Sequence, residues 1–243
     1  MIQGSDGYMD GVTLGNKHSY DDWGLILNEK EEISSPEPKT NYLDIPGADG
    51  SLDISELFGD VKYENRTITW EFLVIRKRER WNYIYSNLLN YLHGQKMNII
   101  LDDDPSFFYR GRVKVNQWKS DKRKATIVVE ANVEPYKYEL SSSIEPWLWD
   151  PFNFEDGIIR EYGNLQVDGE IQVNIIGRRK MVIPTFIVSS DDDKGMDIIF
   201  KSTTYHLPDG ESSIINVETT EGDNIVTIKG NGVISIDYRG GSL

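Results

Sequence analysis

The sequence contains no cysteine, which excludes thiolate nucleophiles, disulfide staples and cysteine-ligated zinc and leaves apolar burial and association to hold the fold together. It has no apolar run near the roughly 18–20 residues that cross a bilayer; the longest such stretches, at 72–75 and 97–101, are of strand length. The first residues offer neither the basic stretch nor the apolar core of a secretory leader, so the sequon Asn65-Arg66-Thr67 reads as a chance match. Positive charge is scarce: 26 basic residues stand against 40 acidic ones, a net charge of −14, which argues against a surface that grips a nucleic-acid backbone. What is present is a 38% hydrophobic, 11% aromatic chain of 243 residues, apolar enough for a sizeable core and long enough for two domains.

Patterning gives the organisation. Ile68, Trp70, Phe72 and Val74 alternate with more polar neighbours, the period of a strand with one buried face. From Trp81 the period changes: Trp81, Ile84, Tyr85, Leu88, Leu89 and Leu92 make one stripe on a helix that Gly94 ends. A strand at 97–101, an acidic turn at 102–105 and further strands within 107–118 and 125–133 follow. Beyond a linker at 137–146 the chain reads as strands throughout, at 170–176, 181–189, 196–201, 213–219, 224–229 and 232–238, with turns expected at Asp168-Gly169 and Gly230-Asn231-Gly232. The expected fold class is mainly β: an α+β amino-terminal domain at 1–138 with one principal helix, then a β-sandwich at 139–243. Division at Tyr138 assigns a net charge of −4 to the first part and −10 to the second.

Chemistry-bearing patterns are sparse. The runs Asp102–Asp104 and Asp191–Asp193 lack calcium-loop spacing and read as charged hairpin tips. His18, His93 and His206 have no partner at metal-site spacing, and His93, in the last helical turn, suits the negative end of the helix dipole as an imidazolium. No nucleophile elbow, phosphate loop or dinucleotide fingerprint appears. We therefore expect no catalytic, cofactor-binding or metal-binding residue, and no enzyme. The basic run at 76–80 reads as a solvated helix entrance. Trp147, Trp149, Phe152 and Phe154 fit either a sugar-stacking platform or the seating of an interdomain connection. Asp53 is placed to cap the turn that follows it. Arg66 is suited to stack on an aromatic face, to pair within the core, or to bind a carboxylate across a subunit boundary.

Several stretches together resemble the distal tail proteins of long, non-contractile-tailed bacteriophages and their prophages. They are Leu14-Gly-Asn-Lys-His-Ser-Tyr-Asp-Asp-Trp-Gly-Leu, Pro36, Ile45-Pro-Gly-Ala-Asp-Gly-Ser-Leu-Asp, Tyr63-Glu-Asn-Arg-Thr-Ile, the helix with Leu92-His-Gly, the segment 103–113, and Val233-Ile-Ser-Ile-Asp-Tyr-Arg-Gly-Gly-Ser-Leu. The resemblance implies a virion component of the tail tip or baseplate, assembled in the host cytoplasm. Its amino-terminal domains would close a homo-hexameric ring, and its carboxyl-terminal domains would be galectin-like sandwiches. Implied partners are the tail tube protein and the tail-fibre or receptor-binding proteins; DNA passes through without specific binding, and no membrane is involved. A head-to-tail interface is needed to close such a ring. The hairpin spanning 112–129 is our candidate for it, with basic tip residues Lys119, Lys122, Arg123 and Lys124, and Arg66 as a further contact; a merely solvated tip is the alternative. The overall acidity fits a conduit through which DNA slides. Two other function classes compete: a carbohydrate-binding module for host-wall glycans, and a wall-degrading hydrolase.

Overall fold

A computed structural model describes residues 11–57, 59–121, 123–146 and 158–243. The chain forms two units, residues 1–104 with 108–135, and residues 105–107 with 136–243.

In the first unit, β1 (Val12–Leu14) and β2 (Lys17–His18) precede a short helix α1 (Ser19–Trp23), β3 (Leu25–Leu27) and β4 (Glu32–Ile33). Next come β5 (Tyr42–Asp44), β6 (Ser51–Asp53), β7 (Arg66–Val74), α2 (Trp81–Leu92), β8 (Lys96–Leu101), β9 (Phe107–Ser120) and β10 (Ala125–Val133). The main sheet runs in the order β2-β1-β8-β9-β10-β7-β3, with β4 also on β7, and its neighbours are antiparallel. The two periods read from sequence explain the core. Ile68, Trp70, Phe72 and Val74 of β7 are all buried, and so are Trp81, Ile84, Leu88 and Leu92 of α2, in one cluster with Ile99, Val113, Ile127 and Val129. Each of these helix side chains contributes roughly 1.5–3 kcal/mol by leaving water. The Trp81 indole N–H donates to the Arg76 carbonyl at 2.8 Å and fixes the helix entrance. The Tyr85 ring stacks on Trp118 at 5.0 Å. One register irregularity interrupts β9–β10: Val128 pairs with Gln117 and Val129 with Val115, so Asn116 is the bulged residue.

The helix agrees with its stripe, and His93, at its carboxyl-terminal cap, receives the backbone N–H of Val115 on Nδ1 at 3.3 Å. Asp53 does cap its turn, taking the backbone N–H and the hydroxyl of Ser55 at 2.9 and 2.5 Å, and these hydrogen bonds hold its carboxyl below the usual range.

The second unit contains β11 (Lys137–Glu139), β12 (Leu165–Gly177), β13 (Thr185–Ser190), β14 (Met196–Phe200), β15 (Thr203–Leu207), β16 (Gly210–Ser213), β17 (Gly222–Asp237) and β18 (Gly241–Ser242). Six of these form one hydrogen-bonded sheet ordered β15-β14-β17-β13-β16, with β12 also on β17. The mainly-β reading therefore holds throughout, but the expected strands need two revisions. Residues 224–229 and 232–238 are one strand, because Gly230 and Asn231 pair with Gly169 and Asp168 instead of reversing the chain. Gly232 has φ +132°, and a Cβ there would sit 2.3 Å from the Ser189 carbonyl, so glycine is what admits the β13 backbone alongside β17 at this position. The expected strand at 213–219 is replaced by β16 ending at Ser213 and a single bridge between Thr219 and Val182, while β15 takes the preceding segment. Ile175, Phe186, Ile198, Ile228, Ile234 and Ile236 are fully buried in the core of this unit.

Candidate functional site

The candidate interface begins with the β9–β10 hairpin. Its turn is built by Asp121, whose Oδ1 accepts the backbone N–H groups of Arg123 at 2.6 Å and Lys124 at 2.8 Å, while its own N–H donates to the Lys124 carbonyl at 2.9 Å. Those amide hydrogen bonds hold the Asp121 carboxyl below its ordinary value, with help from the charges of Lys124 and Arg78. Lys119, Arg123 and Lys124 are exposed around this turn. Lys122 lies outside the described residues. A groove of about 350 Å³ opens on the solvent face of the sheet here, lined by Glu71, Gln117, Lys119, Lys124, Thr126 and Val128 among others.

Antiparallel pairing brings a second basic segment to the same end. Thr126 pairs with Leu73, so the turn of the hairpin lies beside the carboxyl end of β7, from which the run 76–80 emerges, exposed throughout. The influence of Arg78 on Asp121 is the electrostatic trace of this proximity. In the sequence, the run at 76–80 reads only as a helix entrance, since nothing local connects it to residues 45 positions away. A signal was nonetheless present, because two strands of matching period joined antiparallel place their ends together.

Arg66 is elsewhere, at the opposite end of β7. It is 7% exposed, and its guanidinium lies over the Tyr109 ring at 4.9 Å. Among the described residues its Nε and Nη2 find no hydrogen-bond acceptor. Burial pulls its pKa down, and burial pushes the Tyr109 hydroxyl up. Of the three roles open to Arg66 in sequence, the aromatic stack is the one its surroundings display.

The remaining candidates have local partners. His18 accepts the Asp21 N–H at 3.5 Å as the cap of α1 and pairs with Asp102 at 3.0 Å; Asp103 pairs with Lys30 at 2.7 Å. Asp192 pairs with Lys194, and His206 with Asp197. Among the described residues no group of three or more histidines and acids gathers in a metal-binding arrangement, and no helix is long and apolar enough to cross a membrane. Trp147, Trp149, Phe152 and Phe154 lie outside the described residues. One cluster had no sequence signal at all: Glu139 sits between Arg160 and Arg178, residues 21 and 39 positions away.

The first unit is thus an antiparallel β unit with two helices and an exposed basic end. The sequence profile of the phage tail protein RIFT-related domain matches residues 24–146, half of the chain. The chain belongs to this phage tail protein family. Among solved structures, this tail protein is similar to the Dit protein of phage SPP1, described as a paradigm of the hub adsorption apparatus in phages that infect Gram-positive hosts, with a TM-score of 0.62 and 13% identity. The similarity covers 96% of this tail protein and 99% of the SPP1 chain, so both units share its fold. Comparison with curated protein sequences gives no match.

Proposed function

We propose that this tail protein is a non-enzymatic structural hub of the distal tail, a ring that joins the tail tube to the tip and adsorption proteins and lets DNA pass. The observation that supports this most directly is the fold similarity to SPP1 Dit over nearly the whole of both chains. In this reading the first unit closes a homo-hexamer, the second, galectin-like unit faces tail-tip or receptor-binding partners, and the hairpin tip with Lys119, Lys122, Arg123 and Lys124 belongs to the subunit interface. Heterologous contact between the two ends of one sheet is the kind of interface that generates rings. The position in the virion follows from the same reading: the tail tip, after assembly in the host cytoplasm. Light scattering of the purified chain, with negative-stain images alone and in the presence of tail tube protein, tests the proposal. Six-membered rings with an open centre are expected. A chain that stays a single copy under both conditions refutes it.

A further inference from the structure

Aspartate or asparagine followed by glycine is the pair most open to attack by the backbone on a side chain, because glycine places no Cβ beside the attacking nitrogen and leaves the chain mobile. The described residues contain four such pairs: Asp49-Gly50, Asp168-Gly169, Asp209-Gly210 and Asn231-Gly232. Further Asp-Gly pairs starting at Asp6, Asp10 and Asp156 fall wholly or partly outside the described residues. Exposure does not separate the described pairs, since Asp49, Asp168, Asp209 and Asn231 are all exposed. Hydrogen bonding does.

Three of the four are held. The Gly169 N–H, the nitrogen that would attack Asp168, donates to Asn231 Oδ1 at 3.0 Å, and the same bond occupies the Asn231 side chain. Both pairs lie within the β12–β17 ladder, where Asp168 faces Asn231 and Gly232 faces Val167; Gly232 also faces Ser190 on its other side. The Asp209 carboxylate is engaged through both oxygens, Oδ1 by the Ser190 N–H at 2.6 Å and Oδ2 by the Ser190 hydroxyl at 2.9 Å, while Gly210 pairs with Val188. A group tied in this way reacts from a locally opened state, and its rate falls with the population of that state.

Asp49 and Gly50 lie in the turn at 45–50 that joins β5 to β6, exposed throughout. The Ala48 N–H donates to the Ile45 carbonyl at 3.1 Å, but among the described residues nothing holds the Asp49 carboxylate or the Gly50 N–H. Gly50 has φ +73°, with no atom within 4 Å of where a Cβ would stand. β5 and β6 form a two-stranded sheet of their own, and a lone hairpin is marginally stable in water. No opening has to precede reaction here.

We propose that Asp49-Gly50 is a site of spontaneous backbone isomerisation, the one among the described pairs that the folded chain leaves reactive. The Gly50 amide nitrogen attacks Cγ of the protonated Asp49 carboxyl. The N–Cγ bond forms, the Cγ–OH bond breaks, and the hydroxyl leaves with the amide proton as water. Water then opens the cyclic imide. Cleavage of the bond from nitrogen to Cγ restores aspartate, whereas cleavage of the bond from nitrogen to the backbone carbonyl carbon leaves the chain running through Cγ as isoaspartate. One water is released and one consumed, so the mass is unchanged and solvent is the sole co-reactant. The product has one more carbon in the main chain of the turn, next to the Asp44–Ser51 pair that closes β5 on β6. The chemistry is intramolecular and independent of any ring.

The purified full chain, aged in mildly acidic buffer below its melting temperature and then digested, tests the proposal, with electron-transfer fragmentation distinguishing isoaspartate from aspartate at each pair. Isoaspartate is expected to accumulate at Asp49 about tenfold or more faster than at Asp168 or Asp209, while in urea the three aspartates react at similar rates. Asp49→Asn, whose amide leaves as ammonia without the protonation that a carboxylate needs, should convert faster at neutral pH and show the mass gain of amide-to-acid exchange. Asp49→Ser should abolish the signal at this turn. Comparable rates at Asp49, Asp168 and Asp209 in the folded chain overturn the proposal. So does an Asp49 that stays unchanged in the folded chain under conditions that convert it in urea.

Discussion

Replacing Glu139 with glutamine should cost the second unit about 3–5 kcal/mol, the penalty for breaking a buried charge network on one side. Glu139 is 8% exposed. Its Oε2 accepts Arg160 Nη1 at 2.5 Å and the Gly240 N–H at 2.9 Å, and its Oε1 accepts Arg178 Nε. Arg160 Nε in turn donates to the Tyr238 hydroxyl at 2.8 Å, whose proton goes to the Ile176 carbonyl at 2.7 Å. Burial pushes the Tyr238 pKa up and keeps that proton in place. Burial by itself would also raise the Glu139 pKa, but Arg160 and Arg178 outweigh it and hold the carboxyl below its ordinary value. A depressed folded-state pKa means that this stabilisation is complete above the unfolded carboxylate range, near pH 4.3, and is lost as pH falls through the lower folded value. For a unit of about 110 residues, roughly 4 °C per kcal/mol converts the loss to a fall of about 12–20 °C in Tm at neutral pH. Scanning calorimetry of the full chain at pH 7 and across the acid range reads both quantities. The glutamine variant should melt earlier at pH 7 and lose less of its remaining stability on acidification than the wild type. Replacement of all three charges by Leu and Met should cost less than the single change. A glutamine variant melting within about 3 °C of wild type, with the same acid dependence, would refute the assignment of a stabilising role to this network.

Trp70 is fully buried, yet among the described residues its indole N–H has no acceptor; Trp70→Ala should cost about 3–5 kcal/mol in urea unfolding, and Trp70→Phe only about 1–2 kcal/mol, so equal losses would contradict this account of the core. Gly232→Ala, with its Cβ forced to 2.3 Å from a backbone carbonyl, should destabilise more than Gly169→Ala, where φ is +80° but the space is open; thermal melts that reverse the order would remove the close-approach explanation for β17. Arg66→Met keeps a flexible chain against Tyr109 and removes a buried charge whose Nε and Nη2 are unmet, so the melting temperature should hold or rise. A loss of assembly at unchanged Tm would instead assign Arg66 to the subunit boundary.

The parts of the fold written in long periods were legible. The β7 alternation and the α2 stripe each repeat over several residues that all reach the same core, and they specify both elements and their buried faces. The short strands β1 to β6 were not, because two or three residues contain no period; pairing defines them, locally for β5 with β6 and at long range for Val12 with Leu101. Glycine misled in the second unit for a related reason. Gly230 and Gly232 resemble hairpin punctuation, but the demand on them comes from a neighbouring strand, not from a turn. The interface candidates divide in the same way. The lysines at 119 and 124 are conspicuous in sequence, whereas Arg78 joins them only through the antiparallel return of β7, and the partners of Glu139 come from segments with no local relation to it.

Net charge proves the weakest guide to association. The −4 of the first 138 residues suggests a nearly featureless surface, but it averages an acidic stretch at 34–65, seven acidic residues against two basic, and the basic segments 76–80 and 119–124. At physiological salt, charges beyond about 8 Å are largely screened, so what one copy presents to another is the local patch, not the sum. The −10 of the remaining residues can keep those parts of neighbouring copies soluble and apart without opposing a contact between complementary ends. An acidic total is therefore no bar to association, because what decides it is where the antiparallel sheet places local patches of opposite sign.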